Sequence, residues 1–241
     1  MPPSSSTPFA VAATQRVASW LTQLGVSKHA FDDTLGLINP LLTVNQLHAR
    51  VVAKQPETPS ACTFVLQAGA AFEGLKPGQY VMIGVEINGT RYRRAYSPRA
   101  VDGRQDRFAI TVQRQVGGKV SNHLHDRIQV GDIIEIEQAA GEFVLPEPLP
   151  ARALMIAGGS GITPCLSMIQ HLQRGKAPTR VTLIYFARNQ TERIFARETA
   201  GHRQAMARPD LCAGRQRGQH AGAAQRGPAC AGCRPAGAAR A

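Results

Sequence analysis

The sequence predicts a mixed β and α/β fold: an antiparallel six-stranded barrel over residues 46–150, then an incomplete parallel α/β domain over 151–200. Three observations carry this reading. Short alternating apolar runs recur between residues 47 and 146, separated by turn signals. An Asn88-Gly89 pair sits between two of them. Past Pro146–Pro150 the alternation gives way to the apolar runs Ala153–Ala157 and Val181–Ala187, with an amphipathic stretch between them.

Residues 1–45 read as a disordered and helical N-terminal segment. The first ten are rich in Ser and Pro, and Val17, Trp20, Leu21 and Leu24 then follow a helical period within Val11–Leu24. That helix either packs on the next domain or lies on a membrane surface. The expected barrel strands are Leu47–Gln55, Cys62–Gln67, Gln79–Ile87, Thr90–Tyr96, Arg107–Arg114 and Asp132–Glu137. Asn88-Gly89 predicts a type I′ hairpin, because both central residues need positive φ. One helical insert is expected at about Ser121–Arg127. In the second domain Ala153–Ala157 and Val181–Ala187 read as strands buried on both faces. The helix between them takes Thr163 as N-cap and Pro164 as its first residue, buries Leu166, Ile169 and Leu172, and ends at Gly175. A further helix is expected over Thr191 to about Glu198.

Residues 201–241 break this pattern. Of these 41 residues 26 are Ala, Gly or Arg, and none is Val, Ile, Phe, Tyr or Trp. A disordered basic tail is expected, since so little apolar surface cannot offset the ordering entropy. The composition fits a reading frame altered near residue 200; a genuine basic tail is the rival. The tail holds seven Arg and one acid, so half of the net charge of +12 lies there. That weakens a nucleic-acid reading built on charge alone and predicts no specific nucleic-acid partner.

Five cysteines (62, 165, 212, 230 and 233) are odd in number and unevenly placed, against a disulfide framework. The Cys230-Ala231-Gly232-Cys233 pair alone supports neither a zinc site nor an iron–sulfur cluster, so no metal is expected. His123 and His125 read as solvent-exposed. No apolar run approaches the ~20 residues of a membrane span, and the N-terminus lacks a basic-then-apolar leader, so the expected location is cytoplasmic.

Three strings bear chemistry. Arg94-Ala95-Tyr96-Ser97 offers a guanidinium, a phenol ring and a hydroxyl at the end of the hairpin. Gly118-Lys119-Val120-Ser121 is a glycine turn into a short helix, with Ser121 as N-cap; a helix amino terminus favours a phosphate. Gly159-Ser160-Gly161-Ile162-Thr163-Pro164 lies where a strand turns into a helix, and its glycines let backbone amides approach a pyrophosphate. It is neither G-x-G-x-x-G nor G-x-S-x-G.

In this order the three strings resemble the ferredoxin–NADP reductase superfamily, and within it bacterial ferredoxin/oxygenase-type reductases, including desaturase-associated ones. The resemblance covers roughly residues 45–200. It implies an FAD-binding barrel followed by a partial NAD(P)-binding domain, with FAD as cofactor and NADPH or NADH as co-substrate. By that resemblance Arg94 pairs with the FAD pyrophosphate, Tyr96 stacks on the isoalloxazine, and Ser97 hydrogen-bonds near flavin N5. Thr163 lies close to the nicotinamide. Tyr96, Ser97 and Thr163 are thus the implied catalytic residues. Arg94, Ala95, Gly118, Lys119, Val120, Ser121, Gly159, Ser160, Gly161 and Pro164 complete the implied cofactor-binding set. Arg188 and Arg193, after the second strand, read equally as 2′-phosphate ligands, which would favour NADPH, or as surface charge. The family's later Cys-Gly-Pro string is not matched.

The resemblance implies an oxidoreductase passing hydride from NAD(P)H to flavin, then single electrons to an iron–sulfur partner, such as an oxygenase or desaturase system. Two alternatives stand beside it: a flavin-binding remnant without turnover, and a basic nucleic-acid binder acting through the tail.

Overall fold

Asn88 and Gly89 take φ of 52° and 73°, and around this turn β3 (Val81–Ile87) and β4 (Thr90–Tyr96) form the expected hairpin. The computed structural model describes residues 41, 46–101, 103–200 and 204–206. The expected helix at Val11–Leu24, Cys212, Cys230, Cys233 and residues 207–241 lie outside them. The barrel also contains β1 (Leu47–Thr58), β2 (Ala61–Ala68), β5 (Pro98–Ala100), β6 (Arg107–Gln113) and β7 (Ile133–Ile136). Its antiparallel sheet has seven strands in the order β4-β3-β7-β1-β2-β6-β5, one more than the sequence predicts. The extra strand, β5, is three residues long and begins with a proline, too short to show any alternation.

Alternation places Val81, Ile83 and Val85 inside, together with Phe108, Ile110 and Val112 of β6 and Phe64 and Leu66 of β2. Each such side chain contributes about 1.5–3 kcal/mol of transfer free energy when removed from water. Helix α1 (Lys119–Asp126) adds Val120 and Leu124, four residues apart on one face, to the same core.

The second sheet is parallel, in the order β10-β9-β8. It comprises β8 (Arg152–Gly158), β9 (Arg180–Ala187) and β10 (Gln204–Met206). Strand β10 lies within the stretch read as a disordered tail; three residues cannot register against so strong a compositional bias. Helix α2 (Ile162–Arg174) buries Ile162, Cys165, Leu166, Ile169 and Leu172. Much of this face packs with Met155, Ala157, Leu183 and Tyr185.

Several expectations need correction. Residues Gly159–Gly161 form a 3-10 turn that runs straight into α2, so Gly161 is the N-cap and Thr163 is the second helical residue. The Thr163 hydroxyl donates instead to the Ser160 carbonyl at 2.8 Å. Gly118, not Ser121, caps α1; Ser121 Oγ accepts from the Gln115 amide at 3.2 Å. No helix forms over Thr191–Glu198, where Phe195 sits at φ 57°. Ile194 and Phe195 turn into the α/β core instead, 0% and 1% exposed. The second sheet is buried on one face only. Leu154, Ile156 and Phe186 are 63%, 64% and 38% exposed, because the one helix packed on this sheet among the described residues is α2. His125 is half-buried, its Nε2 bonded to the Val112 carbonyl at 2.8 Å and its ring edge-on to Phe64.

The two units touch closely. Ala61 of β2 is buried in the α/β core, the Arg99 guanidinium lies 5.2 Å from the Phe195 ring, and Ser60 bonds Glu192. The asymmetry of the second sheet has a measurable consequence. Leu183→Ala should cost about 2–5 kcal/mol through the cavity it leaves. Ile156→Thr, on the open face, should cost less than about 1 kcal/mol, as seen from denaturation midpoints.

Candidate functional site

Strand β4 ends at Tyr96, and after Ser97 alone the chain begins β5 on the opposite edge of the same sheet. Tyr96 and Ser97 therefore stand at the seam where the barrel closes. Beside this seam the glycine turn of α2 and the start of α1 complete a cleft of about 400 Å³.

All three strings reach this cleft. Its lining includes Arg94, Ala95, Tyr96 and Ser97, then Gly118, Lys119, Val120 and Ser121, then Ser160, Gly161, Thr163 and Pro164. Gly159 adjoins the lining without joining it. Its φ of 52° is a left-handed value that glycine adopts freely, and it sets the turn's course. Arg188 is exposed just past the end of β9, outside the lining. Arg193 is also outside it, donating to Gln190 Oε1 at 3.2 Å and to the Ala196 carbonyl at 2.9 Å.

The lining also includes Thr111, Gln113 and Gln115, which sequence reasoning missed. The signal was present. Phe108, Ile110 and Val112 point into the barrel, so by alternation Thr111 and Gln113 face outward on the strand leading to the glycine turn.

The arginines of β4 divide by the same period. Arg91 and Arg93 are held by acids of and beside β7: Arg91 Nε donates to Glu135 at 2.6 Å, and Arg93 reaches Glu135 at 3.0 Å and Glu137 at 2.8 Å. Arg94, on the alternate face, lines the cleft, and its Nη1 donates to the Arg93 carbonyl at 2.7 Å. Lys119 joins it, donating to the Tyr92 hydroxyl at 2.9 Å with Nζ 4.9 Å from that ring's centroid. This hydrogen bond holds the Tyr92 phenol below its ordinary range. Burial does the opposite to Tyr96, pushing its phenol up to about 12 against the opposing charge of Arg94. The ring is thus a neutral, half-buried plate beside an exposed guanidinium, suited to a flat aromatic ligand that carries phosphates.

The glycines separate into two kinds. A Cβ on Gly118 would lie 2.5 Å from Ser121 Oγ and 2.9 Å from Gln115 Cβ, so packing excludes any larger residue. A Cβ on Gly161 would meet no protein atom within 4 Å. Packing does not require a glycine here, and the space beside the Gly161 backbone is open to a ligand in the cleft. Cys62 and Cys165 are buried free thiols, each pushed up by burial. No group of metal-ligating side chains is found among the described residues, and no helix among them is long and apolar enough to cross a membrane.

Residues 48–145 match the oxidoreductase FAD-binding domain family, and residues 155–220 match the oxidoreductase NAD-binding domain family. This chain belongs to the ferredoxin–NADP reductase superfamily. The NAD-binding match runs past residue 200, where the composition changes. An NADPH oxidoreductase of Mycobacterium tuberculosis is 34% identical over 173 residues, covering 70% of this chain and 46% of that protein. Among solved structures, the FAD/NAD-binding domain of nitric oxide dioxygenase from Vibrio cholerae is 31% identical with a TM-score of 0.58. That match covers 66% of this chain and 72% of the other. Phthalate dioxygenase reductase, described as a modular structure for electron transfer from pyridine nucleotides to [2Fe-2S], is 25% identical with a TM-score of 0.59. It aligns over 68% of this chain and 52% of its own. The chain spans less than half the length of the Mycobacterium relative.

The cleft fits the cofactors that these families bind. Arg94, Lys119 and the amino end of α1 form the cationic part suited to a pyrophosphate. Tyr96 offers the ring face, and the open glycine turn of α2 lines the same cleft.

The tyrosine environments predict an alkaline signature. A folded-state value of about 12 against an ordinary 10 means that stability from neutral Tyr96 is complete below pH 10 and declines as pH rises towards 12. Tyr96→Phe should remove that share of the decline, as read from unfolding midpoints of both proteins below pH 10 and near pH 12. Tyrosinate absorbance should show the Tyr92 phenol titrating before Tyr96.

Proposed function

We propose that this chain is a flavin reductase module: it takes hydride from NAD(P)H onto FAD and delivers single electrons to an iron–sulfur protein, such as one serving an oxygenase or desaturase. The observation that carries the reading is the single cleft into which the hairpin string and the glycine string converge, from two domains. Bound there, FAD supplies the exchange between a two-electron donor and a one-electron acceptor. The protein's part is position and electrostatics. Arg94 and Lys119 counter phosphate charge, Tyr96 bears the flat ring, and Ser97 offers a hydroxyl at the seam. Thr163 and Gly161 hold the second nucleotide's side of the cleft. Alignment of two reactants removes about 7–11 kcal/mol of barrier when both are held in register.

One similar structure supports an iron–sulfur acceptor. Phthalate dioxygenase reductase passes its electrons to [2Fe-2S], and this chain's cysteines offer no cluster site among the described residues. In this reading the acceptor is an iron–sulfur protein. NADPH is the favoured donor, on the name of the Mycobacterium relative. Arg193, held by Gln190 and Ala196, gives that choice no support; exposed Arg188 is the better placed of the two arginines.

A second reading draws on the open face of the nucleotide sheet. With Leu154 and Ile156 more than half exposed, the chain binds flavin but holds the nicotinamide nucleotide too loosely for turnover. Visible absorbance of the purified protein with FAD, before and after anaerobic NADPH, separates the two. Bleaching supports the reductase; bound flavin that stays yellow supports the binding module; no flavin uptake refutes both. Arg94→Ala should weaken FAD by about 1.5–3 kcal/mol, or roughly ten- to a hundredfold, through loss of a charge-assisted contact. Arg93→Ala, whose partners are Glu135 and Glu137, should leave flavin affinity within about threefold of the parent.

A further inference from the structure

Behind the cleft runs a line of hydroxyls that the proposed function leaves unused. Thr111 lines the cleft and is 6% exposed. Directly across the β2–β6 ladder stands Thr63, 0% exposed, with its Oγ1 2.7 Å from the Thr111 oxygen. Thr63 in turn donates to Glu57 Oε1 at 2.7 Å. Glu57, on β1, is only half-buried, so the line runs from near the surface to the floor of the cleft.

The direction of each proton in this line is fixed by counting. A carboxylate only accepts, and a hydroxyl has one proton to give. Thr63 spends its proton on Glu57, so the bond between the threonines is donated by Thr111. The Thr111 oxygen then has no proton left for the cleft. What it offers there is an acceptor, held in one orientation by its buried bond to Thr63, which is itself fixed by its bond to Glu57. A free hydroxyl would rotate to suit either kind of partner; this one selects an N–H or O–H donor.

We infer that Thr111 is a specificity-determining residue that accepts a hydrogen bond from the ring N3–H of the flavin, with Thr63 and Glu57 as positioning residues. This rests on the reading of the cleft as a flavin site. The chemistry narrows the donor, since the oxidised isoalloxazine has one ring N–H, at N3, and N1, N5 and its two carbonyl oxygens are acceptors. A fixed acceptor on β6 thus orients the ring by its pyrimidine edge and disfavours the flipped placement, which would set oxygen or nitrogen lone pairs against the Thr111 oxygen.

The test compares binding of FAD and of N3-methyl-FAD to the apo-protein, followed by flavin fluorescence. The parent should prefer FAD, partly through the hydrogen bond and partly because the methyl group is larger. Thr111→Val removes the acceptor at nearly constant shape, and the preference should fall by roughly three- to tenfold. Thr63→Val frees the Thr111 proton to rotate and should lower the preference in the same direction. Thr111→Ser retains the hydroxyl and should keep it. Thr111→Ala carries the same expectation as valine, so the test does not depend on one variant folding. An unchanged preference in the Thr111 or Thr63 valine variants overturns the inference, because a merely structural pair of threonines would alter stability without altering the ratio. Failure of the parent to bind FAD at all would instead overturn the flavin reading.

Discussion

The passage of the chain through Ser97 is the constraint on which the rest of the site depends. One residue separates a strand on one edge of the sheet from a strand on the other, so closing the barrel and placing Tyr96 are a single event. The register of the β3–β4 ladder, set by Asn88-Gly89, then determines which side chains emerge at the seam. Val81 opposes Tyr96 and Ile83 opposes Arg94. A slip of one residue would turn Arg94 and Tyr96 away from the cleft and bring Arg93 towards it. Tyr92 and Tyr96, the side chains of β4 that pack against the barrel core, oppose such a slip, because both would leave it together.

Charge is organised by the same alternation. On one face of β4, Arg91 and Arg93 meet acids across the sheet and are largely neutralised. On the other face, Arg94 and Lys119 have no acidic partner in their described contacts; they bond a carbonyl and a phenol. The positive potential of an arginine-rich strand is thereby concentrated in the cleft. Exposed pairs of this kind contribute little to stability, typically below about 1 kcal/mol. Their effect here is on where charge is left over.

Much of this was legible in the sequence, for reasons that differ by element. Strand Thr90–Tyr96 and its turn have the bounds that the sequence predicts, because Asn-Gly demands one geometry. Most residues of the three strings line one cleft because they lie at strand ends or helix starts, where short-range rules operate. What sequence missed was tertiary. Strand β5 exists through pairing with β6, not through any pattern of its own. The segment after Asn189 has helical composition, yet Asn189 Oδ1 accepts from Thr191 and from the Glu192 amide. Burial of Ile194 and Phe195 then takes the chain into the core at a left-handed residue. The capping errors at Ser121 and Thr163 share one cause. Each hydroxyl found a nearer partner than the helix end, Ser121 the Gln115 amide and Thr163 the Ser160 carbonyl.

The open face of the second sheet bears on how the two halves depend on each other. A sheet with one covered face holds its shape through α2 and through whatever else abuts it, and what abuts it here is the barrel. Ala61 enters the α/β core, Arg99 covers the Phe195 ring, and Arg174 of α2 donates to the Ala100 carbonyl on β5 at 3.0 Å. Two of these contacts come from β5, the strand created by the seam. The placement of the glycine turn against Tyr96 is therefore not independent of barrel closure. The barrel has its own closed core of Phe64, Leu66, Phe108 and Ile110, and does not need the second sheet to bury them. The nucleotide half, by contrast, leans on the flavin half, so damage at the seam should reach the Gly161 turn while damage to the second sheet should leave the Arg94 side standing.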